Sequence, residues 1–580
     1  VCGVTNNFGN FLKLSINTAA NGQPSKLIIG DVQVNYAYDL QKRLIKRSVI
    51  RNGITESRTY IYDDSRNLKW LTGIIDERGV RYASWTYDNQ GRAISSSHAN
   101  GAELTTISYN TDGSSTVTNA LGKQTIYQFQ VIQGMKRITS IHGEPSLGCP
   151  MSNATLTYDE HGLIKTKIDN KGIITIYDYD DRGLEISRTE AAGTLQARTT
   201  NTTWHTELFL PLTITEPGRT TTYAYDDHGR LLSQSSVGAN SPVERNWVYT
   251  YTAQGLLETT DGPRTDVLDT AKYTYDTQGH LSSVTNALGH RTTPSNFDTS
   301  GHPQTLLDAN NISSTLTYAP QGWLASISTA GSTTRFDYSA VGDITQITRG
   351  DGSALTYTWD DARRLTAITN NLGEKIEYSL DAMGNRTTQR LKDINGSLTK
   401  QNTWIYDELG RLLKSIGAGN QTRQQTYDLN GNPVLTIDPL SNTNNQAYDP
   451  LNRLIQNTDP LNGITQFDHD AQGNLAQVKD PRGVTTRYQY DGLGNLTQLI
   501  SPDTGTSTYL HDAAGNITQQ TDARGVVTLY QYDALNRLTN KIFPANPALN
   551  IIYAYDMTTS GNIGIGRLTT PTGHWRSDWL

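Results

Sequence analysis

Between Trp404 and Asp533 polar and apolar residues alternate in short runs of Thr, Val, Ile, Leu, Tyr and Gln, broken at regular intervals by turn residues. In Arg487-Tyr488-Gln489-Tyr490 the alternation puts both tyrosines on one face and Arg487 and Gln489 on the other. This period and this composition predict strands. The interruptions keep a constant step. Asp407, Asp428, Asp449, Asp470, Asp491, Asp512 and Asp533 follow one another every 21 residues. A second series, Asp438, Asp459, Asp480, Ser501 and Asp522, interleaves with it at the same step. Each unit therefore holds two turns and two strands of about six or seven residues. The repeat decides the architecture: tandem antiparallel hairpins, each packing on its neighbours.

The turn chemistry supports this reading. In Asp-x-x-Gly the carboxylate accepts from the backbone two residues on, and glycine takes the left-handed conformation cheaply. The pattern is a type I turn closed by a glycine, a common hairpin connection. Asn452 and Asn536 replace the glycine in two copies, and asparagine tolerates that conformation well. Gly494→Val or Gly515→Val should then destabilise more than Asp491→Asn or Asp512→Asn. In successive hairpins the tyrosines are expected to form a ladder of cross-strand aromatic contacts.

The same signature runs through the whole chain with looser spacing. Copies occur at Tyr38-Asp39, Tyr62-Asp63, Tyr87-Asp88, Tyr158-Asp159, Tyr179-Asp180, Tyr225-Asp226, Tyr275-Asp276, Leu380-Asp381 and Tyr555-Asp556. Asn7-Phe8-Gly9-Asn10 resembles the second turn. The stretches 133–151, 238–245, 261–270 and 392–400 look like interruptions or long loops. The expected organisation is one segment, 1–580, less regular over 1–400, strictly periodic over 401–540 and frayed over 557–580. No second domain and no long helix are expected.

Composition changes the picture in one respect. Only 35% of residues are hydrophobic, yet there are 31 Tyr and 9 Trp. That is too little apolar mass for thick cores and too aromatic for disorder. A single-layer β-wall reconciles the two. A net charge of −7 over 580 residues gives no footprint for nucleic acid, and no apolar run approaches a membrane span. Starting at Val1 without a leader, the chain reads as a piece of something longer. Two cysteines, Cys2 and Cys149, make no disulfide framework.

Tyr223-Ala224-Tyr225-Asp226-Asp227-His228-Gly229-Arg230-Leu231, followed by second turns such as Asn119-Ala120-Leu121-Gly122, Asn286-Ala287-Leu288-Gly289 and Asp480-Pro481-Arg482-Gly483, resembles the YD or RHS (rearrangement hot spot) repeat. The resemblance covers nearly all of the chain. Family members include RHS polymorphic toxins, the B and C components of insecticidal Tc toxin complexes, and teneurins. It implies a β-strip wound as a spiral into a hollow shell, which in bacterial members encloses a C-terminal toxic domain. The family's self-cleaving core ending is absent from this sequence, so its catalytic aspartates are carried over to no residue.

A search for other chemistry gives no site. Asp178-x-Asp180-x-Arg182-Gly183 and Asp468-x-Asp470-x-Gln472-Gly473 begin like calcium loops, but Thr189 and Lys479 stand where a bidentate glutamate is needed. No nucleophile elbow, zinc-protease helix or phosphate loop occurs. His469 and His511 fill the tyrosine slot before Asp470 and Asp512; a planar ring in a strand is the plain reading, a His–Asp pair the sharper one. The carboxylate pair Asp76 and Glu77 reads as a turn, Cys149 as a loop thiol, and the acceptor sequons at Asn201 and Asn516 as accidents of composition. We therefore expect no catalytic, cofactor-binding or metal-binding residues, and no cofactor.

The expected function is a non-enzymatic shell segment of a secreted or cell-surface bacterial RHS/Tc-type toxin. Its partners are the remainder of its own polypeptide, core and toxin cargo, or a partner toxin subunit. The alternative is an adhesion or carbohydrate-binding module, with glycans stacking on the aromatic face. About 48 strands spaced about 4.8 Å make a strip roughly 230 Å long and 20 Å wide. Closed as a sphere, it would enclose on the order of 11,000 Å³. The expectation is an incomplete shell, an open spiral with a solvent-connected lumen and two raw strand edges.

Overall fold

The computed structural model describes residues 2–5, 11–16, 22–29, 32–145, 152–558 and 563–572. The segment Asn7–Asn10 and Cys149 lie outside them. Fifty-one strands, β1 (Cys2–Thr5) to β51 (Leu568–Thr572), join in one sheet. The pairings are antiparallel and follow chain order, as in β1 on Phe11–Ile16 and β50 (Ile551–Tyr555) on β51. Among the described residues there is no α-helix, only short 3₁₀ turns at Ala99–Gly101 and Pro547–Leu549. The sheet is a meander built from hairpins.

The first-series turns are alike from Asp407 to Asp533. At Asp491 the backbone N–H donates to the Asn495 carbonyl (3.0 Å), while Gly494 N–H donates to the Asp491 carbonyl (3.0 Å). Asp491 Oδ1 accepts from the N–H groups of Leu493 and Asn495, and Oδ2 from the Asn495 side chain at 2.9 Å. Gly494 has φ +81°. This is a type I turn with a glycine bulge, and the bulge shows as a register shift between Gln489 and Tyr490. Asn452 and Asn536 adopt φ 58° and 60°. Arg363, Ser441 and Lys42 also take positive φ, which the sequence does not advertise.

Two places differ from the periodic reading. Ser501 does not open an Asp-type turn; it pairs with Gly505 at the end of β45 (Leu496–Ser501), because its hydroxyl receives only a long bond (3.3 Å) from Asp503 N–H. Within 557–580, expected to fray, β51 forms and pairs with β50. A longer loop there hides the hairpin from the spacing: Asp556 N–H reaches the carbonyl of Arg567. The stretch from Gln133 is the tip of an extended hairpin, β12 (Gln124–Ile132) on β13 (Met135–Gly143).

The wall is one layer thick. Its buried apolar side chains are mostly alanines, among them Ala83, Ala191, Ala362, Ala367 and Ala513. Cohesion must come from cross-strand neighbours, which fits the low apolar fraction.

The turns give a first prediction. A Cβ on Gly494 meets nothing within 4 Å, so Gly494→Val costs only backbone strain, about 2 kcal/mol. At Gly515 a Cβ would also lie 2.7 Å from Arg245 Nη2, so Gly515→Val should cost more. Asp491→Asn keeps the Oδ1 acceptor and should cost about 1 kcal/mol or less. Thermal melting should rank Gly515→Val, Gly494→Val, Asp491→Asn in falling severity. Equal shifts would count against the turn assignment.

Candidate functional site

Two features are built on this strip: a zipper along the tyrosine face and a seam between windings.

The zipper starts at the residue before each turn aspartate. Its polar tip reaches back one hairpin, to the carbonyl of the apolar residue five positions after the preceding turn begins. Tyr251 donates to Leu231 O (2.9 Å), Tyr427 to Leu412 O (2.7 Å), Tyr532 to Ile517 O (3.0 Å), and Trp359 Nε1 to Ile344 O (2.8 Å). Burial raises the pKa of the Tyr427 and Tyr532 phenols. The expected tyrosine-on-tyrosine ladder is not what holds them. Equivalent positions of successive hairpins are about 9.6 Å apart, too far for ring contact. A third group fills the interval: the residue after the turn glycine. The guanidinium of Arg230 lies 4.9 Å over the Tyr251 ring, Arg411 4.7 Å over Tyr427 and Arg537 4.4 Å over Tyr555. His280 stacks on Phe297 (4.6 Å) and His302 on Tyr318 (4.7 Å) in the same way. The same arginines bind their own turn aspartate, as Arg411 Nε does Asp407 Oδ2 at 2.7 Å. One side chain thus clamps a turn and carries the next aromatic.

The seam joins residues far apart in sequence. Arg78 donates to the Asp361 carbonyl (2.7 Å), Asn119 to Glu408 O (2.6 Å), Lys171 Nζ to Asp428 Oδ2 (3.2 Å), and Asn310 to Ile565 O (3.2 Å). Separations across the seam run from 248 to 289 residues. Twenty-five strands, β8 (Arg81–Tyr87) to β32 (Ala354–Trp359), lie between Arg78 and Asp361. From Asn310 to Ile565 there are 23, β28 (Ser313–Tyr318) to β50. The strip therefore closes on itself after about two dozen strands. In every case a second-series turn of the first winding meets a first-series turn of the second.

Two segments that look like loop insertions in the sequence also make seam contacts. At 238–245 the backbones of the two windings touch: Gly492 N–H donates to Ala239 O (2.7 Å), while Ala239 N–H is held within the first winding by Gly218 O (2.7 Å). At 261–270 Arg264, 6% exposed, binds Asp266 through two bonds (2.7 and 2.6 Å). It also reaches Asp533 O (3.0 Å), Asn536 Oδ1 (3.2 Å) and Asp512 Oδ2 (3.3 Å) in the second winding. The Asp266 hydrogen bonds, outweighing burial, raise its pKa. An arginine in a loop is ordinary in a sequence; only its depth marks it.

The other candidate groups are placed as follows. The His469 and His511 rings sit in the tyrosine slot, and burial lowers both pKa values. Among the described residues neither is hydrogen-bonded to the aspartate that follows it. Asp180 is held by Arg182 (3.1 Å) and Asp470 by Asn474 (2.9 Å). Asp76 caps its own turn and binds Arg78 (2.6 Å), while Glu77 binds Arg58 (3.1 Å). Asn516 donates to Asp512 Oδ2 (2.9 Å).

A family model described as the teneurin YD-shell matches residues 215–379 and 375–560, more than half of the chain. The chain belongs to the teneurin YD-shell family. No curated protein matches it. Among solved structures the YD shell is similar to TcdB2-TccC3, with TM-score 0.55 and 14% identity over 96% of this chain. It is also similar to a mutant Tc holotoxin pore of Photorhabdus luminescens, with TM-score 0.58 and 16% identity over 92%. TcdB2-TccC3 without its hypervariable C-terminal region gives TM-score 0.56 and 16% identity over 96%. The matched parts are 35%, 32% and 33% of those chains, so the YD shell here spans about a third of their length. Identities this low show the shared fold.

Ion pairs on the wall give a second prediction. Glu377 lies between Lys375 (2.9 Å) and Lys392 (2.8 Å), whose hydrogen bonds overcome burial and lower its pKa from 4.5 to about 2. A folded value below the unfolded one stabilises fully above pH 4.5 and is lost as pH falls towards 2. Glu377→Gln should lower the melting temperature at pH 6, a loss of about 1 kcal/mol or less, and the deficit should shrink as pH falls to 2. A deficit undiminished at pH 2 would refute the pairing.

Proposed function

We propose that the chain forms two windings of a non-enzymatic shell that encloses a polypeptide cargo, in a secreted toxin whose remaining shell comes from the same polypeptide or a partner subunit. The observation that carries this reading is the seam, which turns an open strip into a closed wall. About 24 strands at about 4.8 Å give a circumference near 115 Å and a mid-wall radius near 18 Å. Subtracting about 5 Å for half the wall leaves an inner radius near 13 Å. Two windings, each about 25 Å tall, enclose on the order of 25,000 Å³, roughly twice the value for a sphere of the same strip.

That lumen selects its cargo. A 100-residue domain has a radius of gyration of about 13 Å, hence an outer radius near 17 Å. The bore admits a domain of about 50 residues or a longer chain without a compact fold. The solved relatives named as toxin complexes support association with other toxin subunits. The tyrosine tips, tied to backbone carbonyls of the preceding hairpin, favour a cohesive role over sugar stacking.

The test is protection. A 50-residue flexible, protease-sensitive segment fused after Leu580 should survive proteinase K that cleaves the same segment fused to an unrelated domain. Cleavage at equal rates would sink the enclosure reading. Small-angle scattering should independently show the pair distribution of a hollow body.

A further inference from the structure

The seam leaves a groove that its own contacts do not fill. The groove lies between the paired strands β5 (Leu44–Arg51) and β6 (Ile54–Ile61) of the first winding and the turns at Pro320–Gln321 and Ala340–Val341 of the second. Its volume is about 250 Å³. Arg47, Arg51 and Arg58 line it, with Arg47 and Arg58 directly opposite each other in the ladder. Like charges in that arrangement repel. Two carboxylates line the same groove, and both are engaged. Glu77 accepts from Arg58 Nη2 (3.1 Å), and Glu56 from Gln321 Nε2 (2.7 Å).

Among the described residues no carboxylate pairs with Arg47 or Arg51. The Nε–H groups of Arg51 and Arg58 are buried with no acceptor. Buried donors in folded proteins almost always have a partner, so two in one groove mark a cationic cluster that the chain's own groups leave under-satisfied. The remaining walls are apolar. Val49 and Ile54 stand on one side and Trp323 on the other, its ring held 5.2 Å from that of Tyr338.

We propose that this groove binds a small organic anion: an apolar body bearing one carboxylate or phosphate. The anion would accept from the guanidinium groups of Arg51 and Arg58 that line the groove and balance Arg47, and the body would lie against Trp323 and Val49. A guanidinium presents its N–H groups in a planar fork that matches two oxygens. The volume is below that of ordinary ligand pockets, so the occupant is a free acid of one ring or the carboxylate end of a peptide. The inference does not depend on the enclosed-cargo reading.

Calorimetric titration with phenylacetate, phenyl phosphate and acetyl-Ala-Phe bearing a free carboxylate tests it, with benzyl alcohol as the neutral control. At least one acid should bind saturably at a single site, more weakly as salt rises, while benzyl alcohol should not. The tightest of the three identifies the source of the anion. Arg51→Gln and Arg47→Gln should each weaken binding at least tenfold. Arg47 has no hydrogen bond or ion pair to the second winding among the described residues, so Arg47→Gln should keep the parent melting temperature. Trp323→Phe should abolish the fluorescence change that accompanies binding. The proposal is overturned if none of the three acids binds up to millimolar concentration, or if both arginine variants bind as tightly as the parent.

Discussion

Gly492→Val should be the most damaging single substitution among the first-series turns. A Cβ at Gly492 would fall against the Gly218 carbonyl oxygen and the Ala239 nitrogen, and 2.6 Å from Gly238 Cα. All three are backbone atoms of the first winding, so no side chain can swing away. Gly238 has the reciprocal problem, since its own Cβ would lie 2.5 Å from the Gly492 carbonyl carbon. Overpacking against backbone costs about 3 kcal/mol or more. It also breaks the bond from Gly492 N–H to Ala239 O. The damage should be local to the seam, because each hairpin still packs on its neighbours. Hydrogen exchange should therefore quicken together at 217–240 and 491–495, which are far apart in sequence, and the melting temperature should fall further than in Gly494→Val. If Gly492→Val melts with Gly494→Val and Ala239 stays protected, the close approach is not a feature of the protein.

Arg264→Leu should open the seam at a second point. It leaves Asp512 and the carbonyl of Asp533 without the donor that joins them to the first winding. Breaking a buried pair by removing one partner costs about 3–5 kcal/mol. Here the Asp266 side chain is 59% exposed and can return to water, so about 2–4 kcal/mol is expected. Arg264→Lys should recover only part of it, because an ammonium cannot reach Asp266 by two bonds and the second winding as well. Exchange should quicken at 532–536 and at 261–270, with the strands between them unchanged. A variant that melts like the parent would show that Arg264 does not hold the windings.

Both effects fall on the seam for a physical reason. Along the strip each strand shares a backbone ladder with its neighbour, as β44 (Thr485–Tyr490) does with β45 over several residue pairs. Across the seam the joints are mostly single side-chain bonds. The seam is the weaker direction of the wall, and openings of lowest free energy should begin there.

Some of this could be read from the residues alone. The step of 21 residues gave the hairpins, because an Asp-x-x-Gly turn is settled by contacts within five residues. Asn452 and Asn536 could be placed in the left-handed region for the same reason. The single-layer wall followed from many tyrosines and few aliphatics. The zipper was half legible. The residue after the glycine recurs as Arg, Asn, His or Trp, but that Arg and His fill the gap between aromatic rings requires the spacing of hairpins in space.

The seam was decided by the tertiary structure. Its separations vary between 248 and 289 residues, so no period in the sequence carries them. They depend on the summed curvature of about two dozen strands, and each extra loop residue shifts the register. Gly492 stands where other turns have Glu408, Leu429, Pro450, Ala471, Ala513 and Ala534; locally it is a variable position. Arg264 sits in what looks like an insertion. The sequence by itself determined the hairpin, because hairpin contacts are local. Which edge of the strip meets which, and whether the strip closes into a wall, only the folded chain decides.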